Sequence, residues 1–247
     1  MKPGDVVLIQ GHGLKSVANR IGQALVSGKL TRFTHVMLCV APGVLIDATP
    51  HDGVKLRNIV RELICGRLTD QMCSDGTVLV LRPPPGSWNA NAGSALVSTL
   101  AHVGKGYNFK ILLPNSSDAD DQSEKAKAAF CSELVVLFLE HWGVIPAPTP
   151  QSGKTLPPSK TLPVHFDRLQ GKQGWTDVTS QWAAKLKDYR EWSESEQLND
   201  GKNFGLALYQ GNQQIHLLLA IKQFDTTQKS LAQKLEAIWT KHGPKKR

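Results

Sequence analysis

Apolar residues fall in short, strand-length runs through the first third of the chain and in longer, helix-spaced stretches after it. Residues 4 to 13, "GDVVLIQGHG", read as a strand that follows a Gly4-Asp5 turn and is closed by Gly11 and Gly13. Residues 15 to 28 place Val17, Ile21 and Leu25 at helical spacing ahead of Gly28. "FTHVMLCV" and "VLIDAT" flank "APG", the pattern of a β-hairpin, and "GVKLRNIVREL" continues as a strand leading into a short helix. "TVLVLRPPP" is a further strand stopped by its prolines. An amphipathic helix spans 90 to 103, and "SEKAKAAFCSELVVLFLEHWG" is rich in helix formers up to Gly143. Residues 146 to 163 are dominated by Pro, Ser, Thr and Gly and predict an extended loop. A Trp-bearing helix over 179 to 192, apolar "FGLALYQ" and "IHLLLAI", and a last helix over 226 to 241 follow. The pattern predicts an α+β domain over 1–180, an antiparallel sheet packed against helices, with a mostly helical C-terminal add-on and basic tail over 181–247.

Composition narrows the class of partner. Of 247 residues 40% are hydrophobic and 20% charged, a globular balance that excludes a disordered chain. The net charge of +8 and pI near 9.4 favour an anionic partner: nucleic acid, an acidic membrane surface or an anionic cell-envelope polymer. No nucleic-acid recognition motif accompanies the charge, so nucleic acid is not expected. The longest apolar run, "LVVLFL", is too short to span a bilayer. The N-terminus lacks the basic leader, apolar stretch and small-residue cleavage site of an export signal, which predicts synthesis in the cytoplasm without one. Cys39, Cys65, Cys73 and Cys131 show no C-x-x-C pair and no zinc-ligand spacing, so free thiols and no metal are expected.

Candidate chemistry centres on Cys131 and the hairpin. A cysteine nucleophile needs a base, and the base needs a partner that fixes its tautomer. If Ala41, Pro42 and Gly43 form the loop, His35 opposes Thr49 and Asp47 lies one diagonal step away on the same face. That is about 7–8 Å, within reach of an imidazole and a carboxylate. A loop one residue shorter or longer would put them on opposite faces. A His–Asp pair holding a hairpin together explains the same residues equally well, and Cys131 in "FCSELVVLFL" reads as core. Cys39 competes, on His35's own strand, without the helix terminus that favours a thiolate. Composition and spacing leave these readings open.

"GDVVLIQG", "FTHVMLCV…GVLIDATPHDGV", "GKGYNF" and "FCSELV", in this order, resemble the circularly permuted NlpC-type papain-like cysteine hydrolases, the branch holding YiiX-like and lecithin:retinol acyltransferase-like proteins. In that branch the histidine strand precedes the cysteine helix, the reverse of papain order. The resemblance covers about residues 4 to 165. It implies a permuted papain-like fold, Cys131 as nucleophile, His35 as general base and Asp47 as the third polar residue. The Cys131 N–H would help form an oxyanion hole, with Tyr107 and Gln10 as weaker contributors; packing is the preferred reading of Gln10 and a supporting role that of Glu133. The family also places its cysteine at a helix start, so the helix-prone "SEKAKAAF" is expected to break before Cys131. No metal or organic cofactor is implied.

The function expected from the resemblance is cleavage of an amide through a thioester, foremost in peptidoglycan stem peptides. With no export signal, such an enzyme would be an antibacterial effector delivered by secretion machinery to a target cell's periplasm and checked by an immunity protein. The alternatives are an acyltransferase or thioesterase acting on lipids or lipidated proteins, and a catalytically silent binding module.

Overall fold

The computed structural model describes residues 1–11, 14–28, 30–84, 91–107, 128–129, 131–144 and 161–242. Its class is α+β, and its centre is a six-stranded antiparallel sheet. The strands are β1 (Val6–Ile9), β2 (His35–Ala41), β3 (Val44–Thr49), β4 (Gly53–Asn58), β5 (Val78–Arg82) and β8 (Thr176–Asp177), in the order β4-β3-β2-β1-β5-β8. A separate two-residue parallel pair joins β6 (Gly106–Tyr107) to β7 (Ala128–Ala129). The helices are α1 (Leu14–Ser27), α2 (Ile59–Ile64), α3 (Asp70–Ser74), α4 (Asn91–Leu100), α5 (Cys131–Trp142), α6 (Pro163–Asp167), α7 (Thr179–Glu194) and α8 (Leu198–His242).

Both faces of the sheet are buried, which is why its strands read as nearly continuous apolar runs instead of alternating ones. Val36, Leu38, Val44, Ile46 and Leu81 on one face pack with Ala95, Leu134, Phe138 and Trp142 of α4 and α5. Met37, Cys39, Leu45, Val78 and Val80 on the other pack with Ile59, Leu63, Trp182 and Leu186 of α2 and α7. A part-buried ion pair fastens α7 to the sheet. Asp5, fully buried, accepts from Arg82 Nε at 2.7 Å and Nη2 at 2.8 Å, and from Trp182 Nε1 at 2.9 Å. Asp5→Ala would strand the Arg82 charge and the indole N–H together. It is expected to lower unfolding free energy by about 3 kcal/mol, measured by urea denaturation.

The hairpin of β2 and β3 reaches the expected register by another route. Leu38 faces Ile46 and Cys39 faces Leu45, but β2 runs on through Ala41, which faces Val44. The turn is therefore Pro42-Gly43, with Gly43 at φ 79°, one residue shorter than expected. A bulge between Cys39 and Ala41 absorbs the extra residue and restores the register on the His35 side.

Two elements depart from the sequence reading. The last helix begins at Leu198 instead of 226, so "FGLALYQ" and "IHLLLAI" lie inside one 45-residue α8. Its contacts explain why it persists through Gly201, Gly205 and Gly211. Asn58 Nδ2 donates to the Leu208 carbonyl and to Asn212 Oδ1, each at 2.9 Å, Leu218 is buried, and Lys222 Nζ donates to the Val103 carbonyl. Leu206, Tyr209, Leu217 and Phe224 remain exposed. In α1, Val17, Ile21 and Leu25 face solvent, whereas Gln23 is fully buried. No helix among the described residues is long and apolar enough to cross a membrane.

Candidate functional site

The residues that meet at Cys131 come from three parts of the chain. The registered pairs of β2 and β3 end at Leu38–Ile46, and beyond them the strands are bridged by side chains. His35 Nε2 lies 2.6 Å from Asp47 Oδ1. The Cys131 thiol lies beside the His35 ring and the Tyr107 phenol and interacts electrostatically with both. With Nε2 held by Asp47, Nδ1 is the ring nitrogen left for the thiol. The His35 side chain is 24% exposed, while Asp47 at 4% and Cys131 at 1% are buried, so the cluster meets solvent through the imidazole.

Cys131 is the first residue of α5, and Ala128–Ala129 just before it are extended. The helix-prone segment is thus not helical there, and the positive end of the α5 dipole lies at the thiol. A chain of backbone contacts sets this position. Val54 N–H of the edge strand β4 donates to the Lys105 carbonyl at 2.9 Å, and Gly104 N–H to the Val54 carbonyl at 2.8 Å. That fixes β6, which pairs with β7 and so leads into Cys131. Ser132 Oγ, fully buried, donates to the Thr161 carbonyl at 2.5 Å and ties down the same helix end. The approach at β4 needs a glycine: Gly53 has φ +64°, and a Cβ there would stand 2.2 Å from the Lys105 oxygen. Gly53→Ala is expected to cost about 1–3 kcal/mol and to displace β6. Urea denaturation and thiol titration of the folded protein would read the two effects separately.

Sequence reasoning did not reach Arg57. Its Nε donates to Asp47 Oδ2 at 2.5 Å and its Nη2 to Asp52 Oδ2 at 2.9 Å, with Glu62 3.8 Å from Nη1. Asp47 therefore offers one oxygen to His35 and one to Arg57. Burial opposes ionisation of Asp47, but His35 and Arg57 outweigh it and hold the carboxyl below its ordinary value. Burial likewise works to lower His35, and Asp47 and then Cys131 more than reverse it, leaving the imidazole well above 6.5. Burial, then Cys131, pushes the Tyr107 phenol up.

The raised His35 value has a consequence for stability. The unfolded histidine titrates near 6.5, so its contribution is complete below about pH 6.5 and is lost as pH rises through the higher folded value. His35→Gln should consequently cost more unfolding free energy at about pH 6 than at about pH 9, as urea titrations at the two pH values would show.

The other candidates lie elsewhere. Gln10 follows β1 with its N–H donated to the Thr77 carbonyl at 2.8 Å, and among the described residues no hydrogen bond links it to Cys131. Glu133 is in the first turn of α5. Cys39 is packed in the second core with its thiol donated to the Ala41 carbonyl at 3.3 Å, and burial pushes it up. All four cysteines are free thiols. Among the described residues no group of three or more His, Cys, Asp or Glu is arranged to hold a metal ion.

No family model and no curated protein matches the chain. It is similar in structure to the metalloprotein YiiX from Escherichia coli O157:H7, a DUF1105 protein, at 16% identity and a TM-score of 0.37, over 57% of this chain and 67% of that one. The functional reading accordingly rests on the geometry around Cys131.

Proposed function

We propose that the chain is a cysteine hydrolase of permuted papain-like fold that cleaves an amide through a thioester. The observation that supports this reading is the grouping of the Cys131 thiol, at the first residue of a helix, with the His35 ring that is hydrogen-bonded to Asp47. His35 accepts the thiol proton, and the sulfur attacks the substrate carbonyl carbon. The Cys131 N–H, one of the helix-start donors without an intrahelical acceptor, and the Tyr107 hydroxyl face the oxyanion. The C–N bond breaks as His35 returns the proton to the leaving amine, and water then hydrolyses the thioester to release the acid and the thiol. Asp47 holds the imidazole and balances its charge.

The substrate we assign first is the peptidoglycan stem peptide, since a chain of net charge +8 suits an anionic wall. The protein would act as an antibacterial effector brought to the target periplasm by secretion machinery. The exposed apolar positions of α1 favour a second substrate, a lipid or lipidated acyl group. Purified sacculi and phospholipid vesicles, each treated with wild type and Cys131→Ala, decide between them. Muropeptides with a newly freed amine support the first, and released fatty acid supports the second. Neither product, with wild type and Cys131→Ala alike, would favour a binding module.

A further inference from the structure

We propose that α1 and the turn after it dock onto an anionic lipid bilayer. The inference goes beyond the hydrolase reading and does not depend on it. Val17 is 40% exposed, Ile21 52%, Leu25 82% and, past the helix end, Leu30 80%. The first three recur every fourth residue and so form one outward stripe. An apolar stripe on this helix would ordinarily turn inward, and a buried side chain prevents it. Gln23 Nε2 donates to the Phe33 carbonyl at 3.1 Å and to Asn19 Oδ1 at 2.8 Å, and its Oε1 accepts from Val164 N–H at 3.1 Å. Rotating α1 to bury the stripe would leave that amide and the Phe33 and Val164 backbone groups without partners.

Charge selects the occupant. Between Asp5 and Asp47 the described side chains include the cations Arg20 and Arg32, and the sequence holds no acidic residue. Arg32 is exposed. Asp167, brought alongside by α6, accepts from Thr31 Oγ1 at 3.1 Å, and its neighbour Arg168 donates to the Ser27 carbonyl at 3.1 Å. A second copy placing the same surface against this one would oppose cations to cations. A cell-wall polymer offers no apolar phase for Ile21 and Leu25. A bilayer bearing anionic headgroups takes both the apolar side chains and the positive charge. The surface adjoins the site, since Gly11 N–H, just ahead of α1, donates to Thr34 Oγ1 at 2.8 Å, next to His35.

The test is co-sedimentation with vesicles of phosphatidylcholine containing phosphatidylglycerol and with vesicles of phosphatidylcholine alone. Wild type should pellet with the anionic vesicles and be released by salt. Ile21→Asp with Leu25→Asp should weaken binding by about a hundredfold, and the gentler Ile21→Ser with Leu25→Ser should weaken it less, with far-UV circular dichroism unchanged in both. Cys131→Ala should bind as wild type does, so failure of docking and failure of the hydrolase reading are read separately. No binding of wild type to anionic vesicles, or full binding by the Asp variant, would overturn the proposal. So would a wild-type dimer in light scattering that the Asp variant dissociates, with no pelleting.

Discussion

His35→Ala is expected to lower hydrolysis by about a thousandfold while leaving the fold intact. A positioned acid–base group contributes on the order of 10² to 10⁴ in rate, and His35, which is hydrogen-bonded to Asp47, lies beside the Cys131 thiol. Its side chain is 24% exposed, so truncation opens space to solvent instead of a sealed core cavity. Asp47 keeps its bond to Arg57 Nε and remains a paired carboxylate. Turnover should fall far more than stability does, which a comparison of rate and urea midpoint would show. A similar fall in both would mean that the His35–Asp47 pair serves the hairpin instead.

Asp47→Asn is the second large effect, and its sign follows from hydrogen-bond accounting. The carboxylate accepts from both His35 and Arg57. An amide has one accepting oxygen, and Arg57, which can only donate, must take it. The amide N–H₂ then points at His35 Nε2 and obliges that nitrogen to accept, so the proton of the neutral ring moves to Nδ1, the side of the thiol. A base protonated on its working nitrogen cannot accept the thiol proton, and a loss of about 10³ to 10⁴ in turnover is expected. Asp47→Ala should instead be chiefly a stability defect of about 3–5 kcal/mol, because it leaves the Arg57 guanidinium, 10% exposed, without its closest counter-charge. The contrast between the two substitutions separates orientation of the ring from support of the strand.

Much of this arrangement was legible in the residues. Strand alternation and the turn chemistry of "APG" placed His35 and Asp47 within one diagonal of each other. The hairpin nonetheless closes over Pro42-Gly43, and the bulge that compensates has no mark of its own in "LCVAPG". Arg57 follows from the rule that found Asp47. In the β3–β4 register Asp47 faces Lys55 and Arg57 is its diagonal neighbour, but that rule needs the register of a second hairpin. The start of α5 at Cys131 was expected from resemblance and not from local propensity, which favours helix through "SEKAKAAF". What overrides propensity at Ala128–Ala129 is pairing with β6, a contact twenty-two residues distant in the chain. The orientation of α1 was hidden because its apolar spacing looks the same whether the stripe meets a core or a surface. Gln23, whose partners Phe33 and Val164 come from elsewhere in the fold, decides it.

Thiol reactivity against pH, with iodoacetamide and peptide mapping of folded wild type and His35→Ala, decides whether Cys131 is a nucleophile served by His35. Cys131 of wild type should alkylate rapidly below pH 7, His35→Ala should abolish this, and buried Cys39 and Cys73 should stay unlabelled in both proteins. Cys65, which is exposed, serves as an internal reference for labelling in both. Labelling of Cys131 only after denaturation, or at equal rates with and without His35, would leave Cys131 a residue of the core and His35 no part in its reactivity.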